Sequence, residues 1–196
     1  MSSSPPRNRN VVFAQLFLLL GLPGFARRFD KTVPVGPAGE DEAQHFVLRV
    51  VQPGLAGLMD GSVSTLAPIF ATAFVTGVPI KAFLVGMAAA TGAGISMAFA
   101  EALSDSGELT GRGNPIVRGT ITGLMTFLGG SLHTLPFLAS NIHVALIAAY
   151  VVVGIELCAI AAIRHRFFGT SWALSIVQVV GSGILVFIAA ILFGNA

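Results

Sequence analysis

Polar and apolar positions along the chain fall into long blocks. Five apolar runs cover roughly residues 52–76, 80–103, 116–139, 142–163 and 172–193. At about 1.5 Å per helical residue, each is long enough to cross about 30 Å of hydrocarbon. The runs are continuous and lack the alternating segments of about ten residues that barrel strands show. The pattern therefore predicts an all-α polytopic membrane protein, with five transmembrane helices in one domain over residues 51–196. The intervals between runs are short. The longest, residues 104–115, has turn-forming composition and no room for a soluble domain.

Residues 1–50 read as a cytoplasmic N-terminal segment. A run of about a dozen apolar residues, 11–22, is too short to span a bilayer and reads as an interfacial helix or a signal-peptide core. Arg27, Arg28 and Lys31 directly after it would resist export, which favours the helix. Residues 30–44 then read as a polar linker, on glycine and proline content.

Composition agrees with the pattern. Hydrophobic residues make up 54% and charged residues 10% of the 196, against about 25% charged in soluble domains, and mean hydropathy is +0.83. The net charge of +2 and pI near 9.2 need no nucleic-acid partner, because the basic residues lie on one side of the spans. Arg7, Arg9, Arg27, Arg28, Lys31 and Arg49 precede the first, Arg112 and Arg118 follow the second, and Arg164 and Arg166 follow the fourth; Lys81 faces the other way. The positive-inside rule then places the N-terminus in the cytoplasm and the C-terminus outside. Cys158 is the single cysteine, so no disulfide forms within the chain.

Ionisable groups inside a bilayer cost a few kcal/mol or more and usually face a bundle interior or a water path. Asp60, Glu101 and Glu156 fall inside spans. Counting residues from the span ends places these three, with Met97 and Met125, in the cytoplasmic half, Asp60 about 13 Å deep. Met97, Glu101 and Asp105 are spaced i, i+4, i+8, one stripe if the second helix continues that far. Asp105 and Glu108 otherwise read as solvated loop charges. Oxygen ligands with a thioether suit a divalent cation of intermediate softness, ferrous iron or manganese, better than magnesium, calcium or copper(I). The alternative for each methionine is core packing, and Asp60 is either a neutral acid among helices or one member of a cation site. His133, toward the outer side of the third span, reads as a hydrogen-bonding histidine or a proton relay. The chain has no GxSxG, HExxH, GxxxxGK[ST] or CxxC. An enzyme is not expected.

At these residues the sequence resembles the vacuolar iron transporter family. Asp60 and Gly61 with Ser62, Ser64 and Thr65 resemble its first-helix motif, and "GAGISMAFAEALS", with Ser96, Met97 and Glu101, its second. "LTGRG", "HTLPFL" and "VVVGIELCAIAAIRHRF" are similar to the bacterial branch that carries a ferritin-like (erythrin) domain, and the resemblance runs from about Val51 to the C-terminus. It implies a homodimer that moves ferrous iron, with manganese as second candidate, out of the cytoplasm in exchange for protons, with no permanently bound cofactor. Asp60 and Met97 would line the pathway between protomers. A two-fold axis would present each ligand twice. Residues 1–50 hold no pair of Glu-x-x-His motifs, and residues 104–115 are too short for a cytoplasmic metal-collecting domain. Capture of the metal then falls to Glu101, Asp105 and Glu108.

The expected metal set is thus Asp60, Met97, Glu101, Asp105, Glu108, Met125 and Glu156. The expected activity is proton-coupled iron export through a bacterial inner membrane. The competing expectation is a non-transporting scaffold that docks a separate ferritin-like protein through its basic N-terminal segment.

Overall fold

The computed structural model describes residues 37–107 and 110–194. The chain divides into two compact units, residues 1–43 and 44–196. Helix α1 is Pro37–Phe46, and a π-helical stretch, Val47–Val51, precedes α2 (Gln52–Ser64) and α3 (Leu66–Thr76). Then come α4 (Pro79–Ala102), α5 (Pro115–Leu132), a 3₁₀ turn (Leu135–Leu138), α6 (Ile142–Phe168) and α7 (Trp172–Gly194). The expected all-helical class is found, with no strand among the described residues.

Local chemistry sets the helix ends. The side chains of Asn114 and Asn141 cap α5 and α6, each accepting two of the free N–H groups of the first turn at 2.8–3.3 Å. Gly77 and Gly169, with φ of 60° and 65°, close α3 and α6 in the left-handed conformation that glycine adopts without strain.

Two of the expected spans are interrupted, and proline explains both. Within residues 52–76 the helix breaks at Thr65, because Pro68 has no N–H to offer the carbonyl of Ser64. The N–H of Thr65 bonds Val63 O, and its hydroxyl donates to Gly61 O at 2.8 Å. Within residues 116–139 the helix stops at Leu132, because Pro136 cannot bond that residue's carbonyl. Among the described residues, four helical segments are long and apolar enough to cross a membrane: Glu42–Thr76, Pro79–Ala102, Ile142–Phe168 and Trp172–Gly194.

The third expected span, α5, is shorter and less apolar, and it packs extensively against both α2 and α4. Apart from Arg118 in the first turn, its buried residues are glycine, serine and threonine. The hydroxyls of Thr122, Thr126 and Ser131 each bond the carbonyl four residues back at 2.6–3.0 Å, so the face carries no unmet donors into its neighbours. Close approach does the rest. A Cβ on Gly57 would lie 2.2 Å from Thr122 O, and one on Gly61 2.0 Å from Thr126 O. Toward α4, a Cβ on Gly119 would lie 2.5 Å from Ala98 O and one on Gly123 2.7 Å from Gly94 O. Both small-residue pairs visible in the sequence are therefore helix contacts. Beyond the end of α5, Leu66, Ile69, Phe70 and Phe137 form a buried cluster, with Phe70 stacked on Tyr150 at 5.1 Å.

Candidate functional site

At the end of α5 that begins with Pro115, two carboxylates meet two guanidinium groups. Arg118, in the first turn of α5, is fully buried; its Nε donates to Glu101 Oε1 at 2.9 Å and its Nη1 to Asp105 Oδ1 at 3.2 Å. Further donation to Gly113 O, Ser104 Oγ and Asp105 O at 3.3 Å occupies the rest of the fork. Arg112, on the glycine-rich loop, bonds Glu101 Oε1 at 2.8 Å and Asp105 Oδ2 at 3.0 Å. The two acids are thus matched by two cations. Loss of surrounding solvent raises the pKa of Asp105, but hydrogen bonds from Thr110, Arg112, Arg118 and the Gly107 backbone outweigh it, so the carboxyl sits below its ordinary value.

The helix does not extend the Met97, Glu101, Asp105 stripe, since α4 ends at Ala102. The arginines, and not helical register, bring Asp105 beside Glu101. Both arginines use Oε1 of Glu101, which leaves Oε2 without a hydrogen bond among the described residues. In the sequence Arg118 reads as a topology marker, and no local pattern there signals its burial.

Asp60 is placed differently. It is half-buried on α2 and has no hydrogen-bond or ion-pair partner among the described residues. Its neighbour Met59 has its sulfur 4.0 Å from Arg164 Nη1, while Arg164 Nη2 donates to Gln178 on α7. Met97 is half-buried on α4. Met125 packs with Ile121 toward Gly54, on the contact between α2 and α5.

Glu156 does not join this group. It lies near the middle of α6, 5% exposed, with Oε2 3.0 Å from Nδ1 of the fully buried His133. Nε2 of His133 is 2.9 Å from Thr65 Oγ1, at the break between α2 and α3. His133 caps the C-terminal end of α5, fifteen residues and about 22 Å of helix from Arg118. Glu156 is therefore level with the far end of α5, and not with Glu101 as residue counting suggests. Sequence reasoning names Thr65 only within the Asp60 motif and leaves His133 without an assigned partner; an ionisable residue deep in each of two apolar runs is the signal it offers.

Within one chain the expected metal set is dispersed. No three His, Cys, Asp or Glu among the described residues gather where they could hold a metal ion. Glu108 lies outside the described residues. Neither a curated protein nor a solved structure matches the chain. One family model does, that of the VIT family, over residues 105–195; this span holds Asp105, Arg118, Met125, His133 and Glu156, and the Asp60 and Met97 motifs precede it.

Proposed function

We propose that this chain is a membrane transporter that exports ferrous iron, with manganese as second cargo, from the cytoplasm in exchange for protons. The match to the VIT family, the vacuolar iron transporters its motifs resemble, supports transport of a metal ion across a membrane. The observation that carries the site is the state of Asp60. Glu101 and Asp105 are ion-paired with arginine and Glu156 is hydrogen-bonded to His133, whereas Asp60 has no cation beside it among the described residues. A carboxylate on a membrane helix without a counter-charge takes up either a proton or a metal ion.

In this reading Asp60 receives the dehydrated ion, and Met97 supplies a thioether that favours iron or manganese over magnesium. Glu101 approaches the ion through its free Oε2, while the arginines hold its position. A homodimer would present Asp60 and Met97 twice and turn a sparse set into a coordination shell. Protonation of the carboxylates from the outer side then releases the cargo. The competing scaffold reading draws no support from the ion-pair geometry.

Proteoliposomes with an imposed pH gradient test this. Iron uptake is expected in wild type and a loss of at least tenfold in Asp60→Ala, with Asp105→Asn reduced less; equal flux in wild type and Asp60→Ala overturns the site.

A further inference from the structure

The hydrogen bonds around His133 can be counted, and the count bears on protonation. Thr65 donates its hydroxyl to Gly61 O, so it accepts from His133 Nε2, which must carry a hydrogen. A neutral imidazole then has a bare Nδ1, and the 3.0 Å contact to Glu156 Oε2 needs a proton from the carboxyl. The other arrangement is imidazolium facing carboxylate. Both hold one proton more than a neutral imidazole beside a carboxylate, and both are neutral overall. The remaining oxygen, Glu156 Oε1, is buried with no partner. A neutral carboxyl tolerates such an oxygen at lower cost than a carboxylate does.

We propose that His133 and Glu156 form a buried proton-binding site, and that the Thr65 hydroxyl turns between the Gly61 carbonyl and the His133 ring as that proton arrives and leaves. On loss of the proton, Nδ1–H donates to the Glu156 carboxylate, Nε2 accepts the Thr65 hydroxyl, and Gly61 O is released from it. The site then carries one net negative charge. Gly61 directly follows Asp60 on α2. The proton site and the proposed metal carboxylate thus share one turn of backbone, at the break that Pro68 creates.

Other ionisable groups on the packed elements lie away from the pair. On α2, Asp60 is five residues before Thr65, about 140° round the helix. On α4, Lys81 and Glu101 sit at opposite ends, and on α5 Arg118 lies in the first turn. On α6, His143 and Tyr150 precede Glu156 by thirteen and six residues, Cys158 is exposed, and Arg164, His165 and Arg166 follow by at least eight. Residues 172–194 of α7 contain none. Asp60→Asn therefore serves as the background for the measurement.

The inference deepens the proton-coupled reading and rests on it for its role in transport, but proton uptake can be read without transport. Metal-free protein in lipid nanodiscs is titrated from about pH 5 to 9 by infrared difference spectroscopy, with ¹⁵N-histidine labelling. A carboxylic-acid band titrating together with the His133 ring is expected in Asp60→Asn, and its loss in Asp60→Asn/Glu156→Gln. Thr65→Val keeps both titrating groups and is expected to move the midpoint by about one pH unit, the worth of one hydrogen bond to one protonation state. No titrating band, or one that survives Glu156→Gln, overturns the proton site; an unmoved midpoint in Thr65→Val overturns the hydroxyl switch. If the band behaves as expected while Asp60→Ala carries iron like wild type, the transport reading fails and the proton site stands. If flux depends on Asp60 and no band titrates, the reverse holds.

Discussion

The two ends of α5 place acidic side chains below the surface of the protein and compensate them by opposite means. At the Pro115 end, Glu101 and Asp105 face two guanidinium groups, which stay charged at any physiological pH. At the Leu132 end, Glu156 faces the imidazole of His133, a side chain that exists in a neutral as well as a charged form. An arginine partner makes a fixed joint, here between the end of α4, the glycine-rich loop and the start of α5. A histidine partner admits more than one protonation state. Asp60 shows the third condition, an acid with neither partner among the described residues, and it is for that reason the acid proposed to take the ion.

The largest effect that would break this contrast is expected from Arg118→Met. It leaves Glu101 and Asp105, 15% and 26% exposed, against the single remaining Arg112. Loss of one member of a buried ion-pair network costs about 3–5 kcal/mol, read as a lower thermal unfolding midpoint in detergent. Arg118→Lys is not expected to restore the wild-type midpoint, since one ammonium cannot reach five acceptors spread over three segments. An Arg118→Met protein as stable as wild type would show that the joint is not structural.

Next comes Gly61→Ala, whose Cβ would lie 2.0 Å from Thr126 O. The clash is with backbone, so α2 must move off α5, at about 1–3 kcal/mol. It carries Thr65 away from His133 while leaving the Glu101 cluster in place. Gly92→Ala on α4 meets open space and is expected to leave the unfolding midpoint unchanged, which makes it the matched control. Arg112→Ala is smaller, about 1 kcal/mol, because the side chain is 21% exposed and Arg118 still holds both acids.

The smallest effect is acid sensitivity. Asp105 has a folded pKa below its ordinary 3.8. Its contribution to stability is therefore fully present above that value and is lost as pH falls through the folded one. Asp105→Asn is expected to flatten the acid limb of the stability profile below about pH 4 and to leave the neutral region parallel to wild type. An unchanged acid limb would remove Asp105 from the joint.

Much of the fold is legible in the order of residues alone. Apolar run length predicts membrane-spanning helices, and Pro79, Asn114, Asn141, Gly77 and Gly169 mark their ends by chemistry that acts within a few residues. The glycine pairs 57/61 and 119/123 announce close helix contacts for the same reason. Run length fails at residues 116–139, because an average over the run passes across Pro136, and at Thr65, because Pro68 sits inside an otherwise apolar stretch. Hydropathy carries no record of the carbonyl four residues back that each proline leaves without a donor.

The sites divide along the same line. That Asp60, Glu101 and Glu156 are costly to bury follows from residue type and run length alone, and so does the expectation that each has a compensating partner. Which partner each one has depends on helices far apart in sequence meeting at a common level: Arg118 is seventeen residues from Glu101, and His133 is twenty-three from Glu156 and sixty-eight from Thr65. No spacing rule spans such separations, because the distances are set by how closely the glycine faces let the helices approach. Local chemistry in the sequence determined the helices and the need for counter-charge; packing in three dimensions decided which acids are fixed by arginine, which faces a histidine, and which stands, among the described residues, without a partner.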